Sequence, residues 1–479
     1  MDLHLTQDLQ KAWHEATDAL GLARGTRLDS TSATALLRRC LAIGRATGES
    51  TAPLPPPERL VRLRGQLPQL ASCLVEGAAA QVAQALEDPT YCRRLVELAA
   101  DLRMSERMAP EICLAIRAGS MEMLSEAPLD AVIFADPQLI GHELYPLCID
   151  ACVAAGPKHV PVGVHLDWLV GDSATRVIHY DLEEDRFIEM SLVTPRRLDR
   201  ALPLALGADE QHHHRTLDEL FAERCRNRFH AAETLDHKAI SAATWSKLGL
   251  SIPSQTVCSV GDVDGARQVL SAGGEWVLKP EASTGGQGVV LLEGPVELHQ
   301  TPGDLVESLQ ICWAYGNAVI EERRDGLAYR DDHEKDHSLV IRLHVASTPG
   351  GLHVESGCAI IGGDDLTPAS FHHGGRSIEL RQALGQLASR RGERICVDVA
   401  QIITDLQQTA TAAVTAVADL DLVGVDLVLD LVGNTVVPVL IEANARPAGL
   451  IHSRRLSDGL AGVSNSLWTT PMVKQEAVS

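Results

Sequence analysis

The chain's 479 residues, 45% hydrophobic and 22% charged, exclude a disordered polypeptide and suffice for two to four structural units. A net charge of −22 argues against broad binding to nucleic acid or to an anionic membrane, since each needs a basic face. Eleven scattered cysteines without a CxxC pair fit a reducing, cytoplasmic setting better than a disulfide framework. No run of about 18 apolar residues predicts a membrane span, and Met1-Asp2-Leu3-His4-Leu5 has no signal-peptide character.

Helical spacing runs from Leu9 to Leu22 and from Ser32 to Ile43, followed by a stiff proline-rich linker, Thr51–Pro57. Three more helical patterns follow, at Leu67–Leu86, Pro89–Leu102 and Met108–Leu124. Residues 1–125 therefore read as a helical region without a catalytic motif, structural, oligomeric or lid-like in role, and a homodimer is among the arrangements it allows.

At Asp130 the pattern changes. Ala131–Ala135 reads as a buried strand, Leu139–Ala155 as a helix closed by Gly156-Pro157, and Val160–His165 as a second strand. Strand, helix, strand predicts a small α/β domain with a parallel sheet over 126–230. Asp136 and His165 fall at strand ends, where such sheets bind ligands, though an ordinary turn role is the favoured reading for either. Cys148 and Cys152, four apart, read as small buried residues of the helix. Gln211-His212-His213-His214 has no partner ligand at useful spacing and reads as a solvated loop. Arg224, Arg226 and Arg228 read as surface or domain-interface charge.

The chemistry concentrates in residues 231–479. Lys238 opens a helix, where a lysine can share an anion with free backbone N–H groups. Trp276–Pro280 is a strand ending in Lys279-Pro280. Glu281–Gly288, with Ser283, Thr284, Gly285, Gly286 and Gly288, is a loop before the return strand Val289–Leu291. The spacing of a P-loop or of a dinucleotide fingerprint is absent, yet a glycine hairpin can fold its N–H groups over phosphates. Val319–Arg324 is a strand ending in charge, whose backbone suits an adenine edge. Arg342 alternates with apolar neighbours in Ser338–Val345, which places it on the polar face of a half-buried strand as a phosphate clamp.

Two apolar runs then flank a turn at Gly433-Asn434, a strong hairpin signal. Such a hairpin brings Asp426 and Glu442 to one end, with Asn444 two residues on. Three hard oxygen ligands in that arrangement suit Mg²⁺ beside phosphate oxygens.

Lys238, Lys279 with its glycine loop, Glu321-Glu322, Arg342, Asp426, Glu442 and Asn444 stand in the order of the ATP-grasp superfamily, which the chain resembles over about residues 230 to 460. The spacing from Lys279 to Gly288 is similar to that of D-alanine–D-alanine ligases. Ser370-Phe371-His372-His373-Gly374-Gly375 resembles the glycine-ended loop of RimK-type ligases. The resemblance implies an α/β (α+β) ATP-grasp domain over 231–479, using ATP and two Mg²⁺ ions, with Mn²⁺ as a substitute. It implies that Lys238 and Lys279 hold the α- and β-phosphates and that the loop from Ser283 to Gly288 covers the nucleotide. Glu321, Glu322 and Arg324 would form the adenine hinge, chiefly through backbone. Arg342 would stabilise the transferring phosphoryl group, and Asp426, Glu442 and Asn444 would bind the metals.

Some residues depart from the pattern. His237 stands where many members have aspartate, and Ser370 where RimK-type ligases carry asparagine. Cys358 stands where a second arginine is usual, leaving Arg376 or Arg446 to compensate. His372, His373 and Arg376 are candidates for orienting the acceptor, with a plain structural loop as the other reading. The ribose-binding acid within Asp325–Asp336 is not assigned.

The implied activity is ATP-dependent amide or peptide-bond formation from small-molecule carboxylate and amine substrates, through an acylphosphate, with release of ADP and phosphate. An amino acid or small peptide of biosynthesis is the implied substrate. Two other readings stand beside it: a small-molecule kinase on the same fold and a non-catalytic nucleotide-binding scaffold.

Overall fold

The computed structural model describes residues 117–119, 129–135, 143–148, 151, 161–181, 186–207, 209–282, 288–294, 302–324, 326–348, 350–363, 368–370, 374–390 and 392–456. The helical patterns before Met108 lie outside these residues, as do Asp136, Cys152, Ser283, Thr284, Gly285, Gly286, His372 and His373. The chain divides into two compact units. One takes Met1–Tyr145, Pro161–Asp199 and Ala205–Ala208; the other takes Pro146–Val160, Arg200–Leu204 and Asp209–Ser479. Helices and strands mix along the chain, so the fold class is α/β.

In the first unit, β1 (Arg117–Gly119), β2 (Leu129–Phe134), β3 (Val162–His165), β4 (Leu169–Val170), β5 (Ser173–Asp181) and the part of β6 (Arg186–Pro203) up to Asp199 form a sheet in the order β1-β6-β2-β3-β5-β4. β2 and β3 are parallel, as strand–helix–strand order requires. Helical spacing over Met108–Leu124 predicts a helix, yet Arg117–Gly119 pairs in parallel with Ile188–Met190. Backbone pairing at a sheet edge outweighs a weak periodicity there. His165, expected at a ligand-binding strand end, is buried. Its Nδ1 accepts from the Asp167 N–H at 3.1 Å and its Nε2 lies 3.3 Å from the Ala135 carbonyl, so it caps the turn that follows.

The second unit holds two apolar cores. The smaller lies under a four-stranded sheet of β7 (Gln255–Cys258), β8 (Gly274–Pro280), β9 (Val290–Gly294) and β10 (Ala318–Glu322), in the order β7-β10-β8-β9. β8 and β9 pair antiparallel, so strand, glycine loop, strand is a hairpin. The described acids left unassigned within 325–336, Asp331, Asp332, Glu334 and Asp336, follow β11 (Leu327–Arg330) up to the start of β12 (Asp336–His337). Asp336 takes Arg330 at 2.7 Å and Asp331 takes His337 at 3.0 Å.

The larger core fills one face of a five-stranded sheet: β13 (Leu339–Thr348), β14 (Gly351–Ile361), β15 (Arg376–Ile378), β17 (Leu422–Val432) and β18 (Thr435–Asn444), in the order β15-β14-β13-β17-β18. The strand between, β16 (Leu387–Ser389), pairs with β11. Strand alternation sends Leu339, Ile341, Leu343 and Val345 into this core, with Val423, Val425 and Leu427 beside them. Against them lies the helix Val399–Thr415, whose Ile402, Leu406, Ala410, Ala413 and Val414 recur at helical spacing. Asp398 caps it by accepting the Ala400 and Gln401 N–H groups.

Two basic and histidine segments depart from their expected exposure. Glu210–Phe221 is a helix, not a loop, and its His214, Leu217 and Phe221 face inward three and four residues apart. Arg226 is fully buried and pairs with Asp421 at 3.0 Å, while Arg228 pairs with Asp218. Residues 209–230 pack within the second unit because Asn227 joins the start of β17 to the residue after β18.

Candidate functional site

The second face of the five-stranded sheet carries the polar residues in rows. Cys358, Arg342, Asp426 and Glu442 are cross-strand neighbours over β14, β13, β17 and β18, and Ser356, His344, Gly424 and Asn444 form the next row. A bulge puts Glu442 there. Leu427 pairs with Leu440 but Asp426 with Glu442, so Ile441 is an extra residue. Without it Glu442 would share a face with the core residue Leu440; with it, Glu442 and Asn444 join Asp426. The turn at Gly433-Asn434 is as predicted, with Gly433 at φ 64°. Gly424 lets the chain close over this face, since a Cβ there would meet the Pro447 Cβ at 3.0 Å.

Three further charged groups, Lys238, Lys279 and Glu321, meet this row or one another. Lys238, the first residue of the helix Lys238–Lys247, is 8% exposed, and its Nζ lies 3.9 Å from Glu442. Its N–H donates to the Glu281 carbonyl at 3.3 Å, which ties the helix start to the end of β8. Lys279 on β8 is 3% exposed and donates to Glu321 of β10 at 2.7 Å. Arg342 grips Asp426 with two parallel bonds, Nε–Oδ1 at 2.7 Å and Nη2–Oδ2 at 2.5 Å, and its Nη1 donates to the Ala448 carbonyl.

The titration behaviour follows from burial and these pairs. Burial pushes Lys238 below the usual lysine range, Glu442 opposes this, and Lys279 adds to it. For Glu442, burial raises the carboxyl, but Lys238, Lys279 and Arg342 overcome it and hold the group below its ordinary value. Burial raises Asp426, Arg342 offsets part of this, and the neighbouring Glu442 adds to the rise. Two acids in hydrogen-bonding contact, 6% exposed at Asp426, call for a cation or a shared proton between them.

Among the described residues no group of three or more His, Cys, Asp and Glu could hold a metal. Asp426, Glu442 and Asn444 escape that description because one donor is an amide. Two carboxylates and an amide on one sheet face are oxygen donors that suit a hard divalent cation.

The other predicted residues are placed as follows. Glu322 accepts from Ser254 Oγ at 3.2 Å, and the Arg324 guanidinium donates to Asp430 at 2.7 Å, so any nucleotide contact from Arg324 falls to its backbone. Gly288 closes the hairpin loop at φ 71°. Arg376 is exposed on β15. In the glycine-ended loop, Gly375 donates to the Ser370 carbonyl at 2.9 Å, and a Cβ would meet that oxygen at 2.8 Å.

Arg446 departs from its expected role. Its side chain is 1% exposed and donates from Nε to Glu210, from Nη1 to His214 Nδ1 at 2.9 Å, and from Nη2 to both oxygens of Asp236 at 2.6 Å. Its side-chain partners all lie outside the row of Asp426 and Glu442, so this guanidinium serves the fold and not a substrate. Cys358, in place of an arginine, is a buried thiol 3.7 Å from Ser453 Oγ, pushed by burial up to about 11 and hence neutral.

No known protein family and no curated protein matches the sequence. Among solved structures the chain is similar to the VanG D-Ala:D-Ser ligase of Enterococcus faecalis, at 14% identity and a TM-score of 0.47 over 71% of this chain and 97% of that one. It is also similar to the D-alanine-D-alanine ligase of Coxiella burnetii, at 13% identity and TM-score 0.46 over 72% and 95%. A third is the D-alanine–D-alanine ligase of Bacillus anthracis complexed with ATP, at 15% and 0.42 over 72% and 95%. Likeness at this level assigns no activity, and the roles of the residues rest on their geometry.

Proposed function

We propose that the chain is an ATP-dependent carboxylate–amine ligase of the ATP-grasp type. One observation carries the reading. Lys238 and Lys279, 41 residues apart in sequence, act electrostatically on one another and on Glu442, which sits in register with Asp426 and Arg342 on the five-stranded sheet. Three cations and three acids, with Glu321 the third, thus gather at one place and suit a polyanion bridged by divalent metal.

In this reading Asp426, Glu442 and Asn444 hold Mg²⁺, which when bound neutralises charge on phosphate oxygens. Lys238 and Lys279 bind the phosphates, and the β10 end from Glu321 to Arg324 faces the base. Arg342, held beside Asp426, would turn guanidinium N–H groups toward the phosphoryl group in transfer. The substrate carboxylate attacks the γ-phosphorus and ADP leaves; the amine then attacks the acyl carbon of the acylphosphate, inorganic phosphate leaves, and the amine loses a proton. Positioning and charge neutralisation suffice for both steps. A neutral Cys358 thiol fits a path without a covalent enzyme intermediate.

The choice of ligase over kinase rests on the order of motifs that resembles ATP-grasp ligases; an amino acid or small peptide is the substrate class that order favours. The test is a screen of amino-acid pairs for phosphate release, with mass analysis of the product. An amide formed only when carboxylate and amine are both present supports the ligase. A phosphorylated product formed without an amine turns the reading to a kinase, and no ADP from any mixture turns it to a scaffold.

A further inference from the structure

Behind the metal-ligand row lies a buried polar network whose members the reaction does not use. Asn227, fully buried at φ 56°, spends its whole side chain on the hairpin. Its Nδ2 donates to the Leu422 carbonyl at 2.7 Å and to the Ala445 carbonyl at 2.5 Å, and its Oδ1 accepts from the Asp421 and Leu422 N–H groups at 2.6 and 3.0 Å. It thereby joins the first residue of β17 to the residue after Asn444. The Asn227 carbonyl lies 2.6 Å from His214 Nε2, and the other ring nitrogen, Nδ1, faces Arg446 Nη1 at 2.9 Å.

The chemistry of these partners fixes the imidazole's proton. A guanidinium can only donate, so Nδ1 accepts; a carbonyl can only accept, so Nε2 carries the hydrogen. Burial first, and then the Arg446 charge, hold His214 down at about 4, consistent with a neutral ring. Arg446 reaches the two halves of the site. Its backbone N–H donates to Asn444 Oδ1 at 2.8 Å, and its guanidinium grips Asp236, two residues before Lys238.

We propose that His214, through Arg446 and Asn227, is a positioning residue that sets Asn444 and the Asp236–Lys238 junction against each other, so that the metal-ligand end of the hairpin meets the phosphate-binding lysine in register. This rests on the metal–nucleotide reading of Asp426, Glu442 and Asn444. Residues that orient metal ligands from behind cost about 10–100-fold in metal affinity when changed.

The test uses the full chain and titrates the ATP analogue AMP-PNP by calorimetry, with and without Mg²⁺. His214→Gln can keep a donor toward the Asn227 carbonyl but loses the acceptor facing Arg446, whereas His214→Asn can keep that acceptor. His214→Gln is expected to lower the Mg²⁺ enhancement of AMP-PNP binding about tenfold, with Mg²⁺-free binding within about twofold; His214→Asn should stay within about threefold of wild type. An undiminished enhancement in folded His214→Gln overturns the proposal, and so does an equal loss in both variants that follows their melting temperatures. If the wild type shows no Mg²⁺ enhancement at all, the metal–nucleotide reading itself has failed.

Ring ¹⁵N shifts of the wild-type chain carry the test even where a variant does not fold. A neutral Nε2–H ring whose Nδ1 resonance moves when Mg²⁺ joins bound AMP-PNP supports the proposal. A cationic ring, the other tautomer, or an Nδ1 resonance that ignores Mg²⁺ overturns it.

Discussion

Two buried charge clusters of the second unit differ in how completely they are closed. Around Arg446, each side-chain nitrogen donates within the protein, and Glu210, Asp236 and His214 take those bonds. Around Glu442 the closure is partial: Lys279 and Arg342 donate to Glu321 and Asp426, yet like charges lie together. Lys238 stands 3.9 Å off, too far for a hydrogen bond, three cations pull on one carboxylate, and Asp426 touches a second acid. A closed cluster holds shape, because any further ligand would have to break a satisfied bond. One in which like charges meet is relieved by a ligand of matching distribution.

Substitutions can break this contrast or sharpen it. Glu442→Ala should lower ADP formation at least about 10³-fold with little change in melting temperature, since it removes a metal ligand rather than a core contact; turnover assays beside thermal melts check this, and unchanged turnover would refute the metal assignment. Arg446→Ala should do the reverse first and destabilise the fold by about 3–5 kcal/mol, since it leaves Asp236 and the half-buried Glu210 without their cation; urea unfolding measures it, and a loss under about 1 kcal/mol would mean the cluster is not closed. Lys279→Ala should weaken AMP-PNP binding about 10–100-fold while acceptor KM changes little; equal losses in both would deny it a phosphate.

A smaller effect separates the clusters by pH. His214 is held at about 4 and His344, buried on the sheet, at about 3, in each case by burial first and then a neighbouring arginine. Each binds its proton more readily when unfolded, so its contribution is full above the ordinary histidine value and is lost as pH falls toward the folded one. Stability should decline by about 1.4 kcal/mol per pH unit per histidine between roughly pH 6 and 5. His214→Gln should remove about half of that slope in urea titrations, and an unaltered slope would show that His214 is not held neutral. The smallest effect is expected of Arg376→Ala, exposed on β15: stability within about 0.5 kcal/mol. A changed acceptor KM in that variant would place it at the substrate.

Much of the open cluster was legible in the sequence. Period-two alternation placed Arg342 on the polar face, and Gly433-Asn434 set the hairpin that aligns Asp426 with Glu442. What hid was register and closure. The Ile441 bulge looks like any apolar strand residue, yet it decides which face Glu442 takes. The histidine tract suggests a loop by composition, whereas the helical spacing of His214 with Leu217 and Phe221 is what marks its fold. Arg226, Asn227 and Arg446 find their partners about 200 residues away, a distance over which local pattern carries no signal. Arg446 is a candidate only because Cys358 stands where a second arginine is usual, and its place in the sequence carries no sign of where its guanidinium points.

The most direct measurement is a crystal of the full chain grown with Mn²⁺ and AMP-PNP, examined by anomalous scattering. The account predicts manganese bound by Asp426, Glu442 and Asn444, with the nucleotide's phosphates between it and Lys238 and Lys279. Manganese or nucleotide found elsewhere, with Arg342 still gripping both oxygens of Asp426, would contradict it.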